Sequence, residues 1–267
     1  MDIKNLTMDI GKGALAGVCS TTIFHPTNTI YVKQMQKRMN IQSVIKQTSY
    51  RTLYAGFFPN LISISMQNAT RLPTMRLFES ISTKNDFKTR CVIGFAIGAI
   101  GDTLGQHIPF VRKNMDMMGM KIPKGPIWKN LNVYKRGLVP NALRNGYGFM
   151  MAYAGAEWVL NNCVSKNSKS NPLIRLGITT GFAYLGLSFT IPAERLVILK
   201  IQNANISYKN LIFEKMIPKS NFRIRGLTTG IIFLSEFYRG FLAKGVFIGG
   251  NNSMTMLFKN FNFNQIY

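Results

Sequence analysis

Apolar and small residues gather in long stretches that polar, Lys/Asn/Ser-rich segments interrupt. From Gly13 to Val32 the chain has no formally charged residue, and Leu176 to Ala193 is nearly as long. Both are long enough to cross a bilayer as helices. The remaining apolar stretches carry single charges such as Arg71, Asp102, Arg144 or Glu157. Intramembrane charges are costly and normally face a bundle interior or a watery cavity. The pattern predicts helices near 6–37, 57–82, 88–119, 138–163, 171–202 and 241–262. Short amphipathic segments are expected near 41–47, 126–132 and 207–214. Thr83–Phe87 and Ser165–Ser170 read as punctuation between units.

The stretches repeat. Small residues four apart open each odd-numbered helix, as Gly13/Gly17, Gly94/Gly98 and Gly177/Gly181, and allow close helix approach. A proline follows at Pro26, Pro109 and Pro192, evenly spaced at 83 residues (109−26 and 192−109). Proline inside a helix removes a backbone hydrogen bond and predicts a kink at each site. After each proline comes an aromatic-containing segment ending in glycine: Tyr54-Ala55-Gly56, Tyr134-Lys135-Arg136-Gly137 and Tyr238-Arg239-Gly240. The glycine supplies a tight turn into the next helix, and the aromatic suits a membrane interface. The expected architecture is therefore an all-α membrane protein. Six transmembrane helices form three tandem hairpins with pseudo-threefold symmetry, and short amphipathic helices lie in the loops on one side. The repeats are 1–86, 87–168 and 169–267 within a single domain, and the third holds an insertion near 213–236.

Charge adds a direction. The formal net charge is +23, from 33 Lys and Arg against 10 Asp and Glu. Most of these cations, including Lys33, Lys46, Arg112, Lys113, Lys129, Arg195 and Lys209, read as belonging to the three long loops. The positive-inside rule places those loops on the electrically negative side. Basic charge alone would also suit nucleic acid, but no basic stripe interleaved with aromatics is present, and no nucleic-acid partner is expected. The only two histidines, His25 and His107, and three scattered cysteines offer no metal-ligand spacing. No metal, cofactor or disulfide framework is expected. His25 and His107 read as local polar packing beside the prolines. Met1-Asp-Ile-Lys-Asn does not read as a cleavable leader. With no Ser/His/Asp grouping or acidic pair at catalytic spacing, an enzyme is not expected.

Repeat number, the order of motifs, the prolines, the helix-opening glycines and the basic loops together resemble the mitochondrial carrier family. The resemblance covers nearly the whole chain. It implies a monomeric, multi-pass protein of the mitochondrial inner membrane that exchanges solutes by alternating access, with cardiolipin-like anionic lipids at the basic matrix side. The family's Pro-x-[Asp/Glu]-x-x-[Lys/Arg] motif closes the matrix side through salt bridges. Its acidic positions fall here on Asn28, Val111 and Glu194, and its basic ones on Tyr31, Asn114 and Val197. A remaining contact from Glu194 to Tyr31 or Asn114 is expected. On the opposite side Glu79, Glu157 and Lys259 remain from a second network, with Lys259 expected to pair with Glu79 or Glu157.

The family's main substrate level lies seven residues past each repeated glycine, at Ser63, Arg144 and Phe247, with Asn145 adjoining. Arg144 offers a planar, permanently charged fork suited to carboxylate or phosphate. The pair Arg144-Asn145 resembles family members that carry keto acids and di- or tricarboxylates. Transport of such a small anion is the expected function. The alternatives are a nucleotide carrier, or a degenerate carrier-like protein serving as scaffold or insertase.

Overall fold

Backbone groups in a long apolar stretch are satisfied most locally by helix formation, and the chain folds that way. No strand occurs among the described residues of the computed structural model, which are 3–37, 39–82, 86–165, 168, 171–212, 238 and 240–260. They form six long rods. The first is α1 (Ile3–Lys37) and the second α2 (Phe57–Ser82). The third runs from α3 (Phe87–Ile97) through a π-helical turn (Gly98–Asp102) into α4 (Thr103–Met117). The fourth runs from α5 (Leu138–Phe149) through a second π turn (Met150–Gly155) into α6 (Ala156–Cys163). The fifth is α7 (Pro172–Gln202) and the sixth α8 (Phe241–Asn260). The helix limits expected from the apolar pattern are met within three residues. The expected insertion near 213–236 lies outside the described residues.

Local chemistry sets these boundaries. Gly56, Gly137 and Gly240 have φ of 72°, 74° and 82°, and α2, α5 and α8 each begin at the next residue. A side chain there would strain the backbone. Polar caps start three further elements. Asn40 accepts from Ser43 N–H at 2.8 Å and opens the surface helix Ile41–Gln47, and Asn171 accepts from Leu173 N–H at 2.9 Å and opens α7. Asp86 accepts from Thr89 at the start of α3, and that bond holds its carboxyl below the usual range. The expected segment at 126–132 is a 3₁₀ turn (Ile127–Asn130) that continues into Leu131–Tyr134, and the one at 207–214 opens with the helix Tyr208–Asn210.

All three repeated prolines lie inside helices, Pro109 within α4. α1 and α7 continue as single helices through Pro26 and Pro192. The third rod bends by 64° between Phe87–Gly101 and Gln106–Met117. The bend lies one turn before Pro109, where the ring displaces the carbonyl of residue 105.

Each rod packs on the next in sequence, and the sixth packs on the first, so the ring closes. The first pair approaches closely because Gly13 and Gly17 lie directly on the backbone of Asn68 and Ser65. At one end the odd-numbered rods also meet one another. There Tyr31, Phe110, Val111, Ile191, Val197 and Ile201 join in one apolar cluster.

Burial is inverted relative to a water-soluble bundle. Asp9, Ser20, His25, Asn28, Asn60, Asn114 and Asn141 are buried, while Leu15, Ile23, Phe58, Val92, Leu104, Leu185 and Leu242 are exposed. Among the described residues one helix, Leu173–Gln202, is long and apolar enough to cross a membrane by itself, and the bent third rod passes as a pair. α1 carries buried Asp9, Lys12, His25 and Gln34, and these inward polar residues dilute its hydropathy. One inward contact is testable. Asn251 of α8 accepts from Ser20 of α1 at 2.8 Å and from Asn68 of α2 at 2.9 Å, all three buried. Asn251→Leu strands the Asn68 amide, while the Ser20 hydroxyl keeps the Gly17 carbonyl at 3.1 Å, and is expected to cost about 1–3 kcal/mol, read as a lowered thermal midpoint in detergent.

Candidate functional site

A cavity of about 90 Å³ lies inside the ring, and all rods but the first contribute to its lining. Its polar lining comes from helix faces turned inward by the same packing that turns the apolar faces out. Glu194 of α7 sits at its floor with a side chain only 3 % exposed. Oε1 accepts from Lys244 Nζ of α8 at 2.6 Å, and Oε2 lies 3.4 Å from Arg144 Nη1 of α5. Lys244 also donates to Asn28 of α1 at 3.4 Å. One carboxylate thus ties together the fourth, fifth and sixth rods, and its lysine reaches the first. Such a buried pair offsets its desolvation only with short, well-directed contacts, and breaking it by removing one partner is strongly destabilising.

Arg144 is fixed from two sides. Its Nε and Nη2 donate to Asn145 Oδ1 at 3.1 and 2.7 Å. Asn145 in turn donates to Thr103 of the third rod at 3.0 Å. The guanidinium lies over the Phe110 ring at 4.4 Å. Lys113 Nζ lies over the same ring, also at 4.4 Å, and Lys244 Nζ lies over Tyr31 and Phe247 at 4.9 and 5.2 Å. Ring faces hold cations without neutralising them. Arg71 lines the cavity as well, so four cations face one carboxylate among the described lining residues.

Arg144, Asn145 and Phe247 therefore lie together at the cavity, but Ser63 does not line it. Ser63 is fully buried with an unpartnered hydroxyl, and Ile64 and Gln67 represent its helix in the lining. The six positions corresponding to the matrix-side ion pairs, Asn28, Tyr31, Val111, Asn114, Glu194 and Val197, are all buried. The expected contact from Glu194 to Tyr31 or Asn114 is not formed, and the Tyr31 hydroxyl has no partner. Lys244 takes the carboxylate instead, because a charge-assisted bond outcompetes a neutral one. At the other end Glu157 lies 3.7 Å from Arg90 of α3. The side chains of Glu79 and Lys259 lie outside the described residues.

Lys113 and Arg195 correct the reading of charge: both sit within helices, each 2 % exposed, not in loops. Lys113 and Lys244 are the residues that sequence reasoning missed at the site. Lys244 had a signal. It lies four residues past Gly240, as Asn60 and Asn141 lie four past Gly56 and Gly137. Those asparagines donate to Nδ1 of His25 and His107 at 2.9 and 3.0 Å. The His25 Nε2–H is thereby directed to the Ala55 carbonyl at 3.0 Å, which makes it a packing residue tying the first hairpin.

Residues 4–86 match the family described as mitochondrial carrier protein. No curated protein matches the chain significantly.

Proposed function

We propose that this chain, a member of the mitochondrial carrier family and so a mover of solutes across a membrane, exchanges a small anionic metabolite, a keto acid or a di- or tricarboxylate, across the mitochondrial inner membrane by alternating access. The excess of cations around the cavity carries this reading: Arg71, Lys113, Arg144 and Lys244 surround it with Glu194 as the only facing carboxylate among the described residues. An anion entering exchanges its hydration for fixed, preorganised donors. The substrate contacts are Arg144, Asn145 and Phe247. Ser63, at the same level, supports the helix behind the lining. Rods one, three and five, which meet in the apolar cluster below the cavity, form the closed side. The inverted burial supports a multi-pass placement with lipid against the exposed Leu, Ile and Phe residues. The basic loops favour cardiolipin-like lipids, and the closed ring favours a monomer, because the cavity needs no second copy.

The test is exchange in liposomes. Purified chain is expected to exchange labelled malate or 2-oxoglutarate and not ATP. Exchange of ATP alone would instead make it a nucleotide carrier. A second reading draws on Val111, Val197 and Asn28, which stand where ion pairs would close a working gate: a carrier-like scaffold or insertase without transport. Failure to exchange any anion would favour it.

A further inference from the structure

The charges at the cavity floor do not balance. Lys244 and Arg144 share the Glu194 carboxylate at 2.6 and 3.4 Å. Lys113 lies close enough to feel Lys244, Glu194 and Arg144. Among the described residues no carboxylate lies within ion-pair distance of it, and its ammonium rests on the Phe110 ring at 4.4 Å. It is 2 % exposed and lines the cavity. Two buried cations and the partly buried Arg144 therefore converge on one carboxylate, a deficit of two negative charges in a medium that penalises uncompensated charge. The cavity, at about 90 Å³, is far below the roughly 300–1,000 Å³ of pockets that enclose drug-sized ligands.

We infer that Glu194 is a tethered stand-in for one carboxylate of the substrate, that Lys113, Arg144 and Lys244 are the cationic contacts, and that the ligand is a short dicarboxylate dianion. This rests on the transport reading above. One substrate carboxylate takes the place of Glu194 at Arg144 and Lys244, and the other reaches Lys113. Glu194 then leaves the fourth and sixth rods, so occupancy of the site and release of the fifth rod become one event. A ligand biases such an equilibrium only through its different affinity for the two states, and displacement of an internal carboxylate supplies that difference.

The experiment is thermal unfolding of the full chain in detergent, titrated with malate as dianion and lactate as monoanion. Wild type is expected to be stabilised by malate and not by lactate. Glu194→Gln removes the competitor and is expected to lower the half-saturating malate concentration about tenfold. Glu194→Asp, which withdraws the carboxylate by one methylene, is expected to fall between them and serves if the glutamine variant does not fold. Lys113→Gln is expected to raise half-saturation about tenfold while changing the midpoint of the unliganded protein little, since it gives up a ring contact with Phe110 and no ion pair at bonding distance. Equal half-saturation in wild type and the Glu194 variants overturns the stand-in, and equal stabilisation by lactate overturns the dianion. A Lys113→Gln titration matching wild type overturns the third contact. These three results leave anion transport standing. No stabilisation of wild type by either anion overturns this inference, and exchange of keto acids and tricarboxylates in liposomes then decides the transport reading separately.

Discussion

Arg144→Ala is expected to lower the initial rate of anion exchange in liposomes by on the order of a hundredfold or more. Truncating one member of a buried, hydrogen-bonded charge pair typically costs about 2–5 kcal/mol, and at roughly 1.4 kcal/mol per factor of ten that spans the stated loss. The guanidinium is held by Asn145 at 2.7 and 3.1 Å and stacked on Phe110, so its position is set before any ligand arrives. Arg144→Lys keeps the charge but loses the two-pronged geometry, and a partial rate is expected from it. Glu194 retains Lys244 in both variants, so the thermal midpoint is expected to fall far less than the rate. Full activity in Arg144→Ala removes this residue from the substrate site.

The second large effect is on folding. A Cβ on Gly17 would stand 2.5 Å from the Cα of Ser65 and 2.8 Å from its nitrogen, so the obstacle is backbone and not a side chain that can swing away. Overpacking typically costs about 1–3 kcal/mol, and two helices forced apart along their length place Gly17→Leu at or beyond the upper figure. A midpoint lowered by roughly 6–12 °C or more is expected in detergent, or no recoverable folded protein. Gly177→Ala is the control. It repeats the same motif in the third unit, but nothing lies within 4 Å of its added Cβ, and no loss is expected. A Gly17→Leu chain as stable as wild type would mean that α1 and α2 do not pack as described.

The contrast between Gly17 and Gly177 shows which parts of the structure were legible in the sequence. Spacing of small residues, prolines and turn glycines located every rod, because those features act through the local backbone. Gly56, Gly137 and Gly240 do so most directly, each needing a left-handed φ that only glycine adopts cheaply. The two π turns left no such mark, and neither did the 64° bend of the third rod. Pairing in the cavity was harder still. Whether Lys113 belonged to a loop or a helix interior turned on the rotation of α4 over its last turns. Glu194 was visible as a lone acid among uncharged equivalents, yet its partner came from α8, fifty residues on, where only a shared offset from Gly240 hinted at Lys244. Arg144, Asn145 and Phe247 meet at one cavity because depth in a helix scales with distance from its start. Ser63 lies at the same depth but off the cavity lining because depth does not fix azimuth.

The cluster of Tyr31, Val111, Val197 and Ile201 stands where relatives with a full motif would hold counter-charges. Parting it wets aliphatic and aromatic surface, a step whose cost near room temperature is almost wholly solvent entropy and which carries a heat-capacity change. In the proposed transport cycle, electrolyte in the buffer is expected to have little purchase on this step, while warming is expected to bend its temperature plot away from a straight line.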